Sequence, residues 1–181
     1  MIKKSHSTIK PINLKEFIRD VPDFPKKGVV FKDINPLLRH PDAFHYLINL
    51  WYSRYEKKNI EAILAVESRG FIFSSALALI LKVPLVLIRK PGKLPSNTIQ
   101  EKYDLEYGTD ALEIQVDALP KKANVLILDD VLATGGTAAG VVRLANRVGA
   151  HVFEVTFLIE LTFLNGRQKL QTSSVYSILQ Y

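Results

Sequence analysis

Residues 125–140 read VLILDDVLATGGTAAG, and this stretch constrains the fold more than any other. The apolar run from Val125 to Leu128 is short enough for a central strand and too short for a buried helix. It ends in two adjacent acids, Asp129 and Asp130. The small-residue turn Thr134-Gly135-Gly136-Thr137 follows, and helical patterning then covers 137–148. In open α/β sheets, ligands bind beyond the carboxyl ends of the strands. Glycines there let backbone N–H groups approach a ligand, and the helix start adds the positive end of its dipole. The turn therefore reads as a phosphate cradle, with the Thr134 and Thr137 hydroxyls as further donors.

The acids conflict with that cradle unless each half meets a different part of one ligand. Two carboxylates repel a phosphate but accept hydrogen bonds from hydroxyls or face a hydrated Mg²⁺. A ligand with a phosphate at one end and a diol at the other satisfies both, and ribose 5-phosphate has that form. The turn is no Walker A loop, because no Gly-Lys-Ser/Thr closes it, and no G-x-G-x-x-G fingerprint is present. The competing reading is a tight strand-to-helix turn with solvated acids.

The rest of the chain alternates in the same way. Asn13 with Glu16 forms a capping-box pattern for a short helix to about Arg19. VVFKDI, 29–34, is a short extended segment ending in a turn at Asn35-Pro36. Phe44, Leu47, Ile48, Trp51 and Tyr55 give helical spacing over 42–57. AILAV, 62–66, and PLVLI, 84–88, read as strands around a buried helix at 71–81. ALEIQV, 111–116, alternates like a strand with one wet face. A strand over 151–159, a short helix and a last strand, 175–179, close the chain. Strands alternating with helices predict an α/β fold with a mainly parallel twisted sheet flanked by helices.

Residues 90–108, rich in Gly, Pro and polar side chains, read as a long loop or mobile hairpin, and such loops in compact domains are usually functional. Arg89, Lys90 and Lys93 at its start form a cationic cluster suited to a diphosphate leaving group or to a solvated basic loop. The 181 residues fit one domain, 1–181, with 1–12 as a loosely ordered arm.

With 48% hydrophobic and 23% charged residues, the composition is that of a globular protein. No cysteine occurs, which excludes disulfides, thiolate metal sites and a thiol nucleophile. No apolar run reaches bilayer length and no h-region follows the basic N-terminus, so a cytoplasmic protein without membrane contact is expected. The net charge of +6 is spread in pairs such as Lys26-Lys27 and Lys121-Lys122. That spread favours a small polyanion or a solvated surface over nucleic acid.

Residues 125–137 resemble the phosphoribosyl-pyrophosphate (PRPP) motif of type I phosphoribosyltransferases. VPDFPKKGVVFKDINPLL, ESRGFIF, LIRKPGKLP, YDLEYGTDALEIQ, DDVLATGGT and the closing LQY resemble, in order, segments of the adenine phosphoribosyltransferase family. The resemblance runs from about residue 16 to the C-terminus. It implies the type I fold with a mobile hood loop at 90–108 and transfer of phosphoribose from PRPP to N9 of adenine. The products are AMP and pyrophosphate, the cofactor is Mg²⁺ carried by PRPP, the role is purine salvage, and the assembly is a homodimer.

The resemblance also assigns residues. Ala133, Thr134, Gly135, Gly136 and Thr137 hold the 5-phosphate, and Asp129 and Asp130 take the ribose hydroxyls. Ser68 and Arg69 form the pyrophosphate loop, where a non-proline cis peptide is typical. Arg89, Lys90 and Lys93 supply basic groups for pyrophosphate, partly across the dimer. Glu106 is the proton acceptor near the purine, and Tyr107 lies beside it in the hood. Val30, Phe31 and Lys32 form the adenine segment, with main-chain contacts near Val30 and Lys32 and an aromatic against the ring. An arginine is common at the position of Lys32. Rival functions are another purine phosphoribosyltransferase, a PRPP-sensing regulator and a plain nucleotide-binding module. The chain has little room for a DNA-binding element, and a plain module leaves the hood unexplained.

Overall fold

The computed structural model describes residues 11–104 and 109–181. The chain divides into two compact units, residues 1–53 and 54–181.

In the first unit, a 3-10 helix, Leu14–Phe17, starts at Asn13, whose side chain accepts from the Lys15 N–H. The Asn13 amide also donates to Glu16 at 3.0 Å. The pattern read as a capping box thus starts one turn of 3-10 helix, which stops at Phe17. Strands β1, Arg19–Pro22, and β2, Val30–Asp33, pair antiparallel. β1 carries no local signal, because it is four residues long, ends in Pro22 and shows no alternating burial. Asn35 and Pro36, expected in a turn, open the four-residue helix α1, Asn35–Leu38, with proline in its first turn. Helix α2 runs Pro41–Tyr55.

The second unit is built on a five-stranded parallel sheet in the order β4-β3-β7-β8-β9. Its strands are β3, Ala62–Val66; β4, Leu85–Ile88; β7, Asn124–Leu132; β8, His151–Glu160; and β9, Val175–Gln180. β3 is buried at every position, which suits a strand covered on both faces. Helix α3, Gly70–Leu81, follows β3, and α4, Gly136–Arg147, follows β7. Leu64, Val86, Ile127, Val141, Leu144 and Phe157 belong to one continuous core of sheet and helix residues.

One boundary beside the acids differs from the sequence reading. β7 does not end at the acids: Asp129 pairs with Phe157, Val131 with Ile159 and Leu132 with Glu160. The ten residues of β8 supply a partner all along this stretch, so the ladder continues where the apolar pattern has stopped. Of the long loop or hairpin read over 90–108, the described residues include one arm of a hairpin. β5, Thr98–Asp104, pairs antiparallel with β6, Thr109–Gln115, in a separate two-stranded sheet.

Candidate active site

The turn after β7 folds as the glycines require. Gly135 has a φ of 78° and caps the N-terminus of α4. That left-handed conformation lets the chain reverse at once from strand to helix. Ala133, Thr134, Gly135, Gly136 and Thr137 all line a cavity of about 70 Å³, together with Asp129, Val131 and Phe157. The first N–H groups of α4 have no intrahelical acceptors, so this end of the helix favours an anion.

Asp130 is buried, and its Oδ2 lies 2.6 Å from Arg69 Nε. The Asp129 Oδ1 accepts the Asp130 N–H at 2.8 Å. Burial, reinforced by the neighbouring Asp130 charge, pushes the Asp129 carboxyl well above its ordinary range. Burial also raises Asp130, with Arg69 opposing it. Asp129, which lines the cradle with its carboxyl pushed toward the neutral form, suits hydroxyls better than a phosphate.

Ser68 and Arg69 form the turn between β3 and α3, and the Glu67–Ser68 peptide is cis. Gly70 allows this turn to lie on β7, because a Cβ there would sit 3.0 Å from both Asp129 Oδ1 and the Leu128 carbonyl oxygen. The α3 start and the two acids are therefore in contact.

The basic cluster is organised by a residue that sequence reasoning did not single out. Glu67 receives Lys93 Nζ at 2.8 Å, the Lys90 N–H at 2.9 Å and Arg89 Nη2 at 3.2 Å. Burial alone would raise its carboxyl, but Lys93, the Lys90 amide and Arg89 outweigh that and hold it down at about 2. Lys90 Nζ pairs with Asp110 at 3.0 Å, and Arg89 bonds through its backbone to Glu113. An acid leaving an apolar strand, as Asp129 leaves Leu128, was the signal that could have marked Glu67.

Tyr103 of β5 connects the hairpin to the cradle. Its hydroxyl donates to Asp110 at 3.3 Å, and its ring lies against Gly140 of α4, the helix that opens the cradle. Arg143 and Arg147 of α4 hold Glu101 at 2.6 and 2.9 Å. The hairpin base is thus tied to the helix that opens the cradle.

Glu106 and Tyr107, with Gly108, lie outside the described residues. Val30, Phe31 and Lys32 belong to β2 in the first unit. Within that unit, Lys32 Nζ pairs with Asp20 at 2.7 Å, and Phe24 meets Phe31 edge-on at 5.1 Å. The Lys32 side chain is thus turned to an acid of β1, as a main-chain role at this position permits.

A glycine cradle, an acid pair at its rim and cations gathered beyond it are the parts of a site for a phosphorylated sugar with an anionic leaving group. The phosphoribosyl transferase domain family matches residues 33–177. An adenine phosphoribosyltransferase of Roseiflexus castenholzii is 54% identical over 170 residues, covering 94% of this chain and 99% of the relative. The crystal structure of adenine phosphoribosyltransferase from Thermoanaerobacter pseudethanolicus superposes with a TM-score of 0.90 at 46% identity, covering 93% of this chain and 98% of that one. The enzyme from Saccharomyces cerevisiae, solved with an imino-altritol bisphosphate and adenine, gives 0.87 at 40% identity, covering 91% and 96%. The chain belongs to the adenine phosphoribosyltransferase family.

Proposed function

We propose that the protein transfers phosphoribose from PRPP to N9 of adenine, releasing AMP and pyrophosphate in purine salvage. The observation that carries this reading is the cavity at Ala133–Thr137, with Asp129 in its lining and Asp130 next to it in β7. The 5-phosphate binds to the backbone of 133–137, and the ribose diol donates to Asp129 and Asp130.

Pyrophosphate leaves toward Ser68, Arg69, Arg89, Lys90 and Lys93. Each of these cations already has a carboxylate partner: Asp130 for Arg69, Glu67 for Arg89 and Lys93, and Asp110 for Lys90. The cluster is therefore oriented before the diphosphate arrives, and fixed charges stabilise developing negative charge without reorganising. As the leaving group departs, positive charge grows on the ribose ring, and the adjacent Asp129 and Asp130 carboxylates favour it. Glu106 accepts the purine proton, with Tyr107 beside it, and Val30, Phe31 and Lys32 receive the base. These assignments follow the family pattern.

The oxygen donors of Asp129 and Asp130 fit Mg²⁺, which prefers carboxylates, phosphates and water. When bound, it neutralises diphosphate charge. The whole chain, 1–181, acts as one catalytic domain. We place it in the cytoplasm; among the described residues no helix is long and apolar enough to cross a membrane. A homodimer is supported by an exposed apolar face. Ile72, Leu79 and Ile80 lie on one side of α3, and Leu85 and Leu87 are exposed on the edge strand β4. Patches of this kind mark protein–protein contacts.

The test is product formation from PRPP and Mg²⁺ with adenine, hypoxanthine or guanine. AMP and pyrophosphate from adenine alone are expected. Turnover of an oxopurine in place of adenine would overturn the base assignment, and no turnover with any base would overturn the reaction.

A further inference from the structure

The phosphate cradle does not stand alone: it rests backbone to backbone on a second segment, distant in sequence. A Cβ on Gly135 would collide with the Gly166 carbonyl oxygen, and a Cβ on Gly166 would collide with the Ala133 carbonyl oxygen. The same Gly166 Cβ would lie 3.1 Å from the Gly135 nitrogen. The two glycines interlock at contact distances that no side chain permits.

Gly166 opens a short 3-10 helix, Gly166–Leu170, after Asn165 in the left-handed conformation. One ion pair fastens this helix to the sheet. Arg167 Nε donates to Glu160 Oε1 at 2.6 Å, and its Nη2 donates to Oε2 at 2.7 Å. Arg167 Nη1 also donates to the Val175 carbonyl oxygen at 3.0 Å. Glu160 is buried at the end of β8, opposite Leu132 of β7 and Gln180 of β9. The Arg167 hydrogen bonds hold its carboxyl below the ordinary range. The segment is closed from the other side by the Tyr181 main-chain oxygen, which accepts both the Thr162 N–H and its hydroxyl.

The geometry points to Arg167, acting through Glu160 and Gly166, as a positioning residue for the 5-phosphate of the substrate. Bidentate pairing to a buried carboxylate fixes both the place and the angle of the residue next to Gly166. Gly166 in turn sets the height of the Ala133 carbonyl and the turn at Gly135, from which the cradle N–H groups are aimed. Arg167 needs no contact with substrate for this role. The inference rests on the reading of 133–137 as the phosphate cradle.

Four proteins test it: wild type, Arg167→Ala, Arg167→Lys and Gly166→Ala. Ribose 5-phosphate affinity is measured by calorimetry, KM for PRPP and for adenine by steady-state kinetics, and folding by Tm. Backbone amide shifts in the wild type locate the bound phosphate. Displacing the cradle by about an ångström is expected to weaken ribose 5-phosphate binding and raise the KM for PRPP by about ten- to a hundredfold. KM for adenine stays within about twofold in Arg167→Ala and Gly166→Ala, and Arg167→Lys, which keeps the charge but not the fork, recovers part of the loss. If Arg167→Ala does not fold, Arg167→Gln and Glu160→Gln carry the same measurement. Unchanged ribose 5-phosphate affinity in folded variants overturns the positioning role and leaves the cradle standing. Loss of both KM values in step with Tm also overturns it. Wild-type amide shifts that avoid 133–137 overturn the cradle reading and the buttress with it.

Discussion

Arg69 Nε lies 2.6 Å from Asp130 Oδ2, joining the turn before α3 to the acid pair of β7. In the proposed mechanism this pair links the group that would receive the leaving pyrophosphate to the group that would meet the ribose. Asp130→Asn removes a buried negative charge from beside the developing ribose cation. It is expected to lower kcat by roughly ten- to a thousandfold, the scale of one lost preorganised electrostatic contact. Steady-state kinetics with PRPP and adenine decide it, and an unchanged kcat would remove Asp130 from the chemistry.

Glu67 gives a pH prediction. Its folded-state pKa of about 2 lies below the ordinary glutamate value of 4.5. A depressed acid stabilises the fold above its unfolded pKa, and that contribution is lost as pH falls through the folded one. Wild type should therefore exceed Glu67→Gln in stability at neutral pH, by about 1–3 kcal/mol for a lost charged partner. The gap should narrow from about pH 4.5 downward and close near pH 2. Denaturant unfolding of both proteins across that range measures it, and a gap independent of pH would contradict the clamp.

Glu67 also shows where the sequence stops informing. The β7 strand, its acids and the Thr134–Thr137 turn are contiguous, so local pattern suffices to find them. Glu67 meets Arg89 and Lys93 only because β3 and β4 lie side by side. Arg167 reaches Glu160 through a turn with Asn165 left-handed, a backbone feature with no periodic signature. The extension of β7 past Asp129 is set by its neighbour β8, and β1 by its pairing with β2 across the intervening turn. Elements defined by their own periodicity were readable, whereas those defined by a partner were not.

Tyr103 couples the hood hairpin to the cradle helix: its hydroxyl bonds Asp110 within the hairpin while its ring lies against Gly140 of α4. Tyr103→Phe keeps the ring against α4 and removes the hydroxyl. A stability loss of about 1 kcal/mol is expected from the hydrogen bond. The KM for PRPP should rise a few fold, roughly in line with that energy. Equal KM values in the two proteins would show that the hairpin and the cradle act independently.

The exposed face of α3 predicts the assembly. Leu79 is 78% exposed beside Ile80, and Ile72 lies two turns earlier. Leu79→Glu combined with Ile72→Glu should shift the protein to monomer in light scattering while preserving far-UV circular dichroism. A double variant that keeps the wild-type mass would place the interface elsewhere.

The central claim is that one ligand bridges the glycine turn and the acid pair. A crystal structure of the protein with AMP tests it most directly. The account predicts the phosphate within hydrogen-bonding distance of the backbone nitrogens at 135–137 and the ribose hydroxyls on Asp129 and Asp130. A phosphate seated instead on Arg89 and Lys93, with the turn after β7 left out of contact, would contradict it.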